Sequence, residues 1–293
     1  VAVIWAARIN GNRGFTNGSQ NEVLPRCHFL ALSRKVLDNR APDCQTRPTH
    51  ATFARMTQTL IIGAGITGAA LAWQLSRRGE AVAIVSTHAE GGLASAASFG
   101  WLNASYFLNH PHYRLRHEGM AAHRRLSQAL PGLPTTWPGC LWYESTGDAQ
   151  EETASDLKAL DYKVERLTRV QVADRLPALG PVPETALFFP EEGVADPAIL
   201  ARALIAASGA QVIRATVQSV TETQGKVTGV ITDLGPLSAT RVILATGTGT
   251  PTLLEPFGYS LPMLQRPGLM VATNALPPIC PVVPSSSSRA TCI

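Results

Sequence analysis

The sequence is short of charge, aromatic rings, cysteine and long apolar runs, and each shortage closes off a class of protein. Charged residues are only 16% and aromatics 6% of the 293 residues, against 45% hydrophobic. So apolar a composition excludes a wholly disordered chain. The five cysteines (Cys27, Cys44, Cys140, Cys280 and Cys292) include no C-x-x-C pair, and an odd count does not complete a disulfide framework. Cys140 reads as a buried structural thiol, and a reducing, cytoplasmic setting is the expectation. No secretory signal is present, because Val1–Ala7 is apolar but short and follows no basic region. Leu60–Leu75 carries no charge, yet it falls short of the ~20 residues a membrane span needs. Its patterned glycines suit a buried strand and helix instead.

Net positive charge is also missing from most of the chain. The formal charge is +4, but residues 1–55 hold 8 Lys+Arg against 3 Asp+Glu, and the remainder holds 17 against 18. The body therefore has no basic stripe for nucleic acid. Catalytic constellations are absent as well: no Ser/His/Asp arrangement and no metal-ligand spacing stands out. His110, His112, His117 and His123 fall near one helix and read as solvated or core histidines rather than ligands.

Residues 1–55 show neither helical nor strand period. Three readings fit: an Arg-rich organelle presequence, a disordered extension, or a stretch upstream of the natural start, since Met56 stands just before the first regular strand. Prolines at 25, 42 and 48 oppose the amphipathic helix of a presequence. From Thr57 the pattern predicts a buried strand at Thr59–Ile62, a helix at Ile66–Arg78 and a second strand at Ala81–Val85. A helix follows over His112–Leu130, with Leu115, Met120, His123, Leu126 and Leu130 near one face. A strand is expected at Cys140–Glu144, and helices at Leu167–Leu179 and Pro197–Ala207. Asp196 is the N-cap of the last of these, with Pro197 at its first position. Strands at Gln211–Thr223 and Lys226–Asp233 join through Gln224–Gly225. Arg241–Ala245 and Met270–Thr273 complete the strands, and 276–293 reads as a low-complexity tail.

What is present most distinctly is Gly63-Ala64-Gly65-Ile66-Thr67-Gly68, directly after an apolar strand and opening a helix. In that context G-x-G-x-x-G signals dinucleotide binding. Gly63 permits the tight turn, Gly65 lets a pyrophosphate approach the backbone, and Gly68 lets helix and strand pack. The helix N-terminus offers N–H groups and a positive dipole end to the phosphates. The bland alternative is a glycine-rich strand-turn-helix without ligand. The second strand should end in an acid that holds the ribose, but Ser86 occupies that position, followed by Thr87. Without the acid, an NADP site is an alternative.

Two further segments favour a flavin over a nicotinamide. Gly91–Asn103 is rich in Gly, Ala and Ser, which suits backbone running along a flat or phosphorylated ligand; a flexible surface loop is the other reading. Ala245-Thr246-Gly247 ends a buried strand far downstream, as where a returning strand closes over the same cofactor.

Taken in order, the Gly63–Gly79 fingerprint, the Gly91–Asn103 loop, Gly193-Val-Ala-Asp196-Pro197 and Ala245-Thr246-Gly247 resemble the D-amino-acid-oxidase-like family of FAD-dependent oxidoreductases. Glycine and sarcosine oxidases belong to that family. The resemblance runs from about Met56 to about Thr273. It implies an α/β architecture: a doubly wound, Rossmann-like FAD-binding domain with a discontinuous, mixed-sheet substrate domain. The expected partition is 56–130 and 196–258 for the FAD domain, and 131–195 with 259–275 for a partial substrate domain. The implied reaction is oxidation of an amine or amino acid by hydride transfer to flavin N5, with oxygen or another electron acceptor closing the cycle. By position, Ile66 and Thr67 would meet the pyrophosphate, and Ser86 and Thr87 the ribose. Ala94, Ser95, Gly100, Trp101 and Leu102 would border the phosphates and isoalloxazine, and Val217 would contact adenine through its backbone. No metal is implied.

The family continues beyond the point where Leu276-Pro-Pro begins the tail, so the expectation is a C-terminally incomplete member, with an inactive chain as one outcome. Arg266 is the weak candidate for a substrate carboxylate anchor. The rival functions are a non-catalytic dinucleotide-binding remnant and an NADP-dependent reductase.

Overall fold

The structure is a computed structural model that describes residues 57–177 and 179–263, together with strand segments 4–7, 269–272 and 283–285. β1 (Ile4–Ala7) runs antiparallel to Leu269–Ala272. It lies inside the 1–55 stretch expected to be irregular: a four-residue apolar run is too short to show a period, and only its distant partner defines it. The rest of that stretch lies outside the described residues.

β2 (Thr57–Ile62), α1 (Ile66–Ser76) and β3 (Val82–Ser86) form a parallel βαβ unit, as the sequence predicts. The middle of the chain supplies β4 (Trp101–Leu102), α2 (His110–Ala129), β5 (Thr135–Thr136), β6 (Cys140–Trp142), α3 (Asp148–Ala159), β7 (Glu165–Thr168), α4 (Arg169–Arg175), β8 (Thr185–Phe189) and β9 (Gly193–Ala195). Then come α5 (Pro197–Ser208), β10 (Gln211–Arg214), β11 (Val217–Thr223), β12 (Lys226–Thr232), β13 (Gly235–Leu244), α6 (Thr250–Leu254), β14 (Leu269–Ala272) and β15 (Val283–Ser285).

The largest sheet has the order β10-β3-β2-β13-β12-β11. Its first four strands are parallel, and β11, β12 and the first half of β13 form an antiparallel meander. β13 belongs to both parts: Gly235–Ser238 pairs with β12 and Ala239–Leu244 with β2. The apolar runs of β2 and β3 alternate faces, as the two-residue pleat demands. Ile61 and Ile84 pack with Ala69, Ala72 and Trp73 of α1 and Leu200 and Leu204 of α5. Leu60, Ile62, Ala83 and Val85 pack on the other face with Val230, Ala239 and Leu253. Both faces are covered, which is why these strands read as continuous rather than alternating.

Two smaller sheets come mainly from the middle of the chain, β15-β6-β8-β7 and β4-β9-β5. Cys140 and Leu187 share a core with Tyr113 and Met120 of α2 and with Tyr162. α2 also leans Leu126 against the core of the large sheet. The resulting mixed α/β architecture is the expected one.

Several boundaries differ from expectation. The strand expected over Gln211–Thr223 breaks at Ala215–Thr216, and its halves, β10 and β11, lie at opposite edges of one sheet. Apolar continuity carried no mark of that bend. The helix expected from Leu167 starts as strand β7, because Thr168 caps α4 through a reciprocal bond with Gln171. The buried face of α2 carries Tyr113 and Met120, while Leu115 is exposed. α3 and β8 were not anticipated. β15 lies within the expected tail and runs parallel to β6. Among the described residues, no helix is long and apolar enough to cross a membrane.

Candidate functional site

The carboxyl ends of β2, β3 and β13 are neighbours in the parallel sheet, the edge at which doubly wound sheets bind ligands. At the first of these ends the Gly63 N–H donates to the Val85 carbonyl at 2.9 Å, and the chain turns through Gly63–Gly65 into α1. Gly63 has φ +112, and a Cβ there would run into the Ala245 carbonyl oxygen. A Cβ on Gly68 would strike the Gly63 carbonyl oxygen. Both glycines are therefore required by the turn itself. Gly65 differs: its backbone is extended, and the nearest atom to an added Cβ is the Ser95 hydroxyl at 3.3 Å.

The N-terminus of α1 has no acidic residue in its first turn, and Gly65 as N-cap contributes no side-chain bond. The Ser95 hydroxyl accepts from the Ile66 N–H at 3.1 Å. The Thr67 and Gly68 N–H groups have no acceptor within the helix. Ala64 is buried, and its carbonyl accepts from the Gly91 N–H at 2.9 Å. That bond draws Gly91–Gly92 over Gly65, so closely that a Cβ on Gly92 would lie 3.0 Å from the Gly65 Cα. Ala94 is exposed and Ser95 half-buried beside the same turn. Free N–H donors, the positive helix end and the missing Cβ at Gly65 fit a pyrophosphate.

The second strand end brings Ser86 and Thr87 beside 215–217. The Ala215 N–H donates to the Ser86 carbonyl at 3.3 Å, and the hydroxyls of Thr87 and Thr216 are 3.4 Å apart. Val217 begins β11 two residues on and is half-buried. The Ser86 hydroxyl is buried and closed into its own turn, donating to the His88 carbonyl at 2.9 Å and accepting from the His88 N–H at 3.3 Å. It faces its own backbone, in contrast to the free acid usual at this position.

At the third end, the Ala245 N–H donates to the Ile62 carbonyl at 2.8 Å, and its own carbonyl abuts Gly63. Thr246 shares a hydroxyl bond with Thr250 at 2.9 Å, and Gly247 is exposed.

Gly100, Trp101 and Leu102 form a separate group. The Ala195 N–H donates to the Gly100 carbonyl at 3.0 Å, and β4 pairs Trp101 with Val194 and Leu102 with Gly193. Trp101 donates from Nε1 to Glu192 at 2.8 Å. Sequence reasoning did not select Glu192, Tyr162, Asn103 or Arg116. Glu192 is fully buried and also accepts from the Tyr162 hydroxyl at 2.8 Å and the Ser105 N–H at 3.2 Å. Burial pushes its carboxyl above the usual range, partly offset by the Ser105, Tyr162 and Trp101 donors. Burial, then the Glu192 charge, pushes the Tyr162 phenol and the Cys140 thiol upward. Arg116 donates to both the carbonyl and the side-chain oxygen of Asn103, at 3.1 and 2.6 Å. In the sequence, Pro190-Glu191-Glu192-Gly193 has the composition of an exposed turn, and only the three-dimensional partners of Glu192 single it out.

The histidines on α2 do not converge. His117 stacks on Tyr113 at 5.7 Å, and burial lowers the His123 imidazole. Among the described residues, no group of His, Cys, Asp and Glu could hold a metal ion. Arg266 lies outside the described residues.

Comparison with known proteins gives the same direction. No curated protein matches the chain. Glycine oxidase from Bacillus cereus is 27% identical, with 69% of this chain covering 58% of that one at a TM-score of 0.63. Glycine oxidase from Geobacillus kaustophilus is 21% identical (79% of this chain, 66% of that chain, TM-score 0.66), a likeness of fold. So is that to L-amino acid deaminase from Proteus vulgaris, at 18% identity (74% of this chain, 53% of that chain, TM-score 0.65). The chain thus spans 53–66% of the length of these structures. Residues 58–291 match the family described as FAD dependent oxidoreductase. Most of the chain lies within that match; it belongs to the family of FAD-dependent oxidoreductases.

Proposed function

We propose that this chain binds FAD at the strand ends described above and serves the oxidation of an amine or amino acid. The observation that carries the reading is the N-terminus of α1: two N–H groups without helical acceptors, a positive dipole end, and a Gly65 without a Cβ, where the Ser95 hydroxyl is the near neighbour. The 27% identity to a glycine oxidase supports the donor class.

Bound FAD would supply the acceptance of a hydride, at flavin N5, from the carbon that bears the amine. Every other task falls to the chain. Gly63, Ala64 and Gly65 form the turn, and the N–H groups of Ile66, Thr67 and Gly68 meet the pyrophosphate, that of Ile66 if Ser95 releases it. Ser86 and Thr87 occupy the ribose end through their backbone and the Thr87 hydroxyl, and the Val217 backbone meets adenine. Ala94, Ser95, Gly100, Trp101 and Leu102 border the phosphates and isoalloxazine. Ala245, Thr246 and Gly247 close the third side and exclude water. The same reading assigns 56–130 and 196–258 to the FAD domain and 131–195 to the substrate side. It takes oxygen or another acceptor as co-substrate and the cytoplasm as location, with no role for nucleic acid.

The test is uptake of FAD by the full chain, followed by visible absorbance, then turnover with a panel of D-, L- and N-methyl amino acids. Flavin uptake with turnover supports the reading, and a folded chain that excludes FAD overturns it. A second reading, an NADP-dependent reductase, has one observation in its favour. β3 ends without an acid, and Arg214 pairs with Ser86 in register. Tight NADPH binding without flavin would select it. FAD uptake without turnover of any amine would select a non-catalytic dinucleotide binder.

A further inference from the structure

The segment Gly100–Ser105, whose first three residues are assigned above to the flavin, is held by a carboxylate that is itself none of the proposed cofactor contacts. Glu192 Oε2 accepts from Trp101 Nε1 at 2.8 Å. Glu192 Oε1 accepts from the Ser105 N–H at 3.2 Å and the Tyr162 hydroxyl at 2.8 Å. The Tyr162 oxygen in turn accepts from the Ala104 N–H at 3.4 Å, which turns the phenolic hydrogen toward Glu192. Two consecutive backbone N–H groups and one indole are thus gathered by a single pair of side chains.

All these neighbours donate. A carboxylate has acceptor sites for each of them, whereas an amide would aim a hydrogen at another hydrogen. The residue is 0% exposed, and it makes no ion pair among the described residues. Arg116 donates to Asn103 and makes no ion pair with Glu192. A buried charge without an ion-pair partner is a poor device for stability. Two of its three donors, Trp101 and Ser105, lie on a segment that the FAD reading places beside the cofactor. The next three residues, β9, pair with β4 and so carry any shift at 192 directly to Trp101 and Leu102.

We infer that Glu192 is a positioning residue: its carboxylate fixes Trp101 and the Ala104–Ser105 backbone in the geometry that FAD binding needs, so that a neutral isostere loosens this segment and weakens FAD while the sheet core stays intact. This rests on the FAD reading above, and the experiment separates the two. The full chain and its Glu192→Gln, Tyr162→Phe and Glu192→Gln/Trp101→Phe variants are compared by hydrogen exchange with peptide resolution and, for the single variants, by FAD fluorescence titration. In Glu192→Gln, the Gln NH₂ faces either the Trp101 indole N–H or the Ser105 N–H. Amides of Ala104 and Ser105 should then exchange at least ~10-fold faster and FAD should bind ~10-fold more weakly, since each lost bond to a charged acceptor is worth about one decade or more. Exchange in β2 and β3 should not change. In the double variant the opposing indole N–H is gone, and slow exchange at Ala104 and Ser105 should return, which a merely structural role would not produce. Tyr162→Phe removes one donor to Glu192 and the acceptor of the Ala104 N–H, so it should speed exchange at Ala104 and leave the Ser105 bond to Glu192 in place. Unchanged exchange over 100–106 in both single variants overturns the inference, as does faster exchange shared equally by β2 and β3. If the unmodified chain takes up no FAD, the proposed function fails, and the exchange pattern alone still decides the role of Glu192.

Discussion

Gly65→Ala separates a glycine kept for a ligand from one kept for the fold. Gly65 has φ −74 and ψ −179, a conformation alanine adopts without strain. The added Cβ would meet only the Ser95 hydroxyl, at 3.3 Å, and that side chain can rotate away from the Ile66 N–H. Losing that bond costs about 1 kcal/mol. Alanine as N-cap costs a further ~0.5–1 kcal/mol relative to glycine. Lower entropy of the unfolded chain returns ~0.4–1 kcal/mol. The net is about 1 kcal/mol, a fall in Tm of roughly 2–4 °C for a chain of this size.

The same methyl group stands where the pyrophosphate would approach the Thr67 and Gly68 N–H groups. Hydrogen bonds to a charged group are worth ~1.5–3 kcal/mol each, so losing two weakens FAD by ~10²–10⁴-fold. Gly68→Ala is the contrast, because its Cβ strikes the Gly63 carbonyl, a backbone atom that cannot move aside. It should cost several times the stability lost in Gly65→Ala, on the order of 3 kcal/mol or more. Thermal denaturation without ligand and FAD titration of the two variants give both quantities. A folded Gly65→Ala variant that binds FAD like the unmodified chain would refute the assignment of α1 to the pyrophosphate.

Asp196 accepts from the Ala198 and Ile199 N–H groups, both at 2.9 Å. Asp196→Ala should therefore lower stability by ~1–2 kcal/mol in urea titration, and Asp196→Asn by much less; equal losses would deny the cap. The Cys140 thiol is buried and pushed well above its ordinary range, so its peptide should resist iodoacetamide in the native chain at pH 8 and react after unfolding. Labelling at the same rate in both states would contradict its burial. The Glu192 carboxyl is raised above 4.5 on folding. The stability it contributes is thus full below 4.5 and is lost as pH rises through the folded value. Glu192→Gln should flatten the decline of unfolding free energy above pH 4.5; an unchanged slope would show that another group carries it.

Much of the large sheet is legible because its signals are local. β2, its glycine turn and α1 occupy 20 consecutive residues, and the apolar runs of β2 and β3 match two covered faces. The Asp196-Pro197 start of α5 is equally short in range. Errors gather where the deciding contact is distant. β10 and β11 look like one strand from Gln211 to Thr223, yet β10 pairs with β3 and β11 with β12. Nothing between Arg214 and Val217 announces a turn except the Thr216 N–H, whose acceptor is Asp233 at 2.7 Å. β7 reads as helix until Thr168 and Gln171 are recognised as a capping pair. α3 is acid-rich, and its buried face is only Gln150, Ala154 and Leu157.

The candidate site divides along the same line. The end proposed for the phosphates depends on backbone N–H groups and absent side chains, and glycines write both into a short motif that any reader of the sequence can find. Its Trp101 end depends on a carboxylate whose partners lie 91, 87 and 30 residues away. At that range Glu192 is indistinguishable from its neighbour Glu191, which ends at the surface in an ion pair with Lys163. The difference between the two lies in which direction each side chain leaves the β8–β9 turn, and that direction is set by the pairing of β9 with β4 and β5. Sequence motifs therefore point to the turn proposed to grip a cofactor, while the orientation of the segment around Trp101 is decided by the sheet, through a carboxyl group that composition alone assigns to solvent.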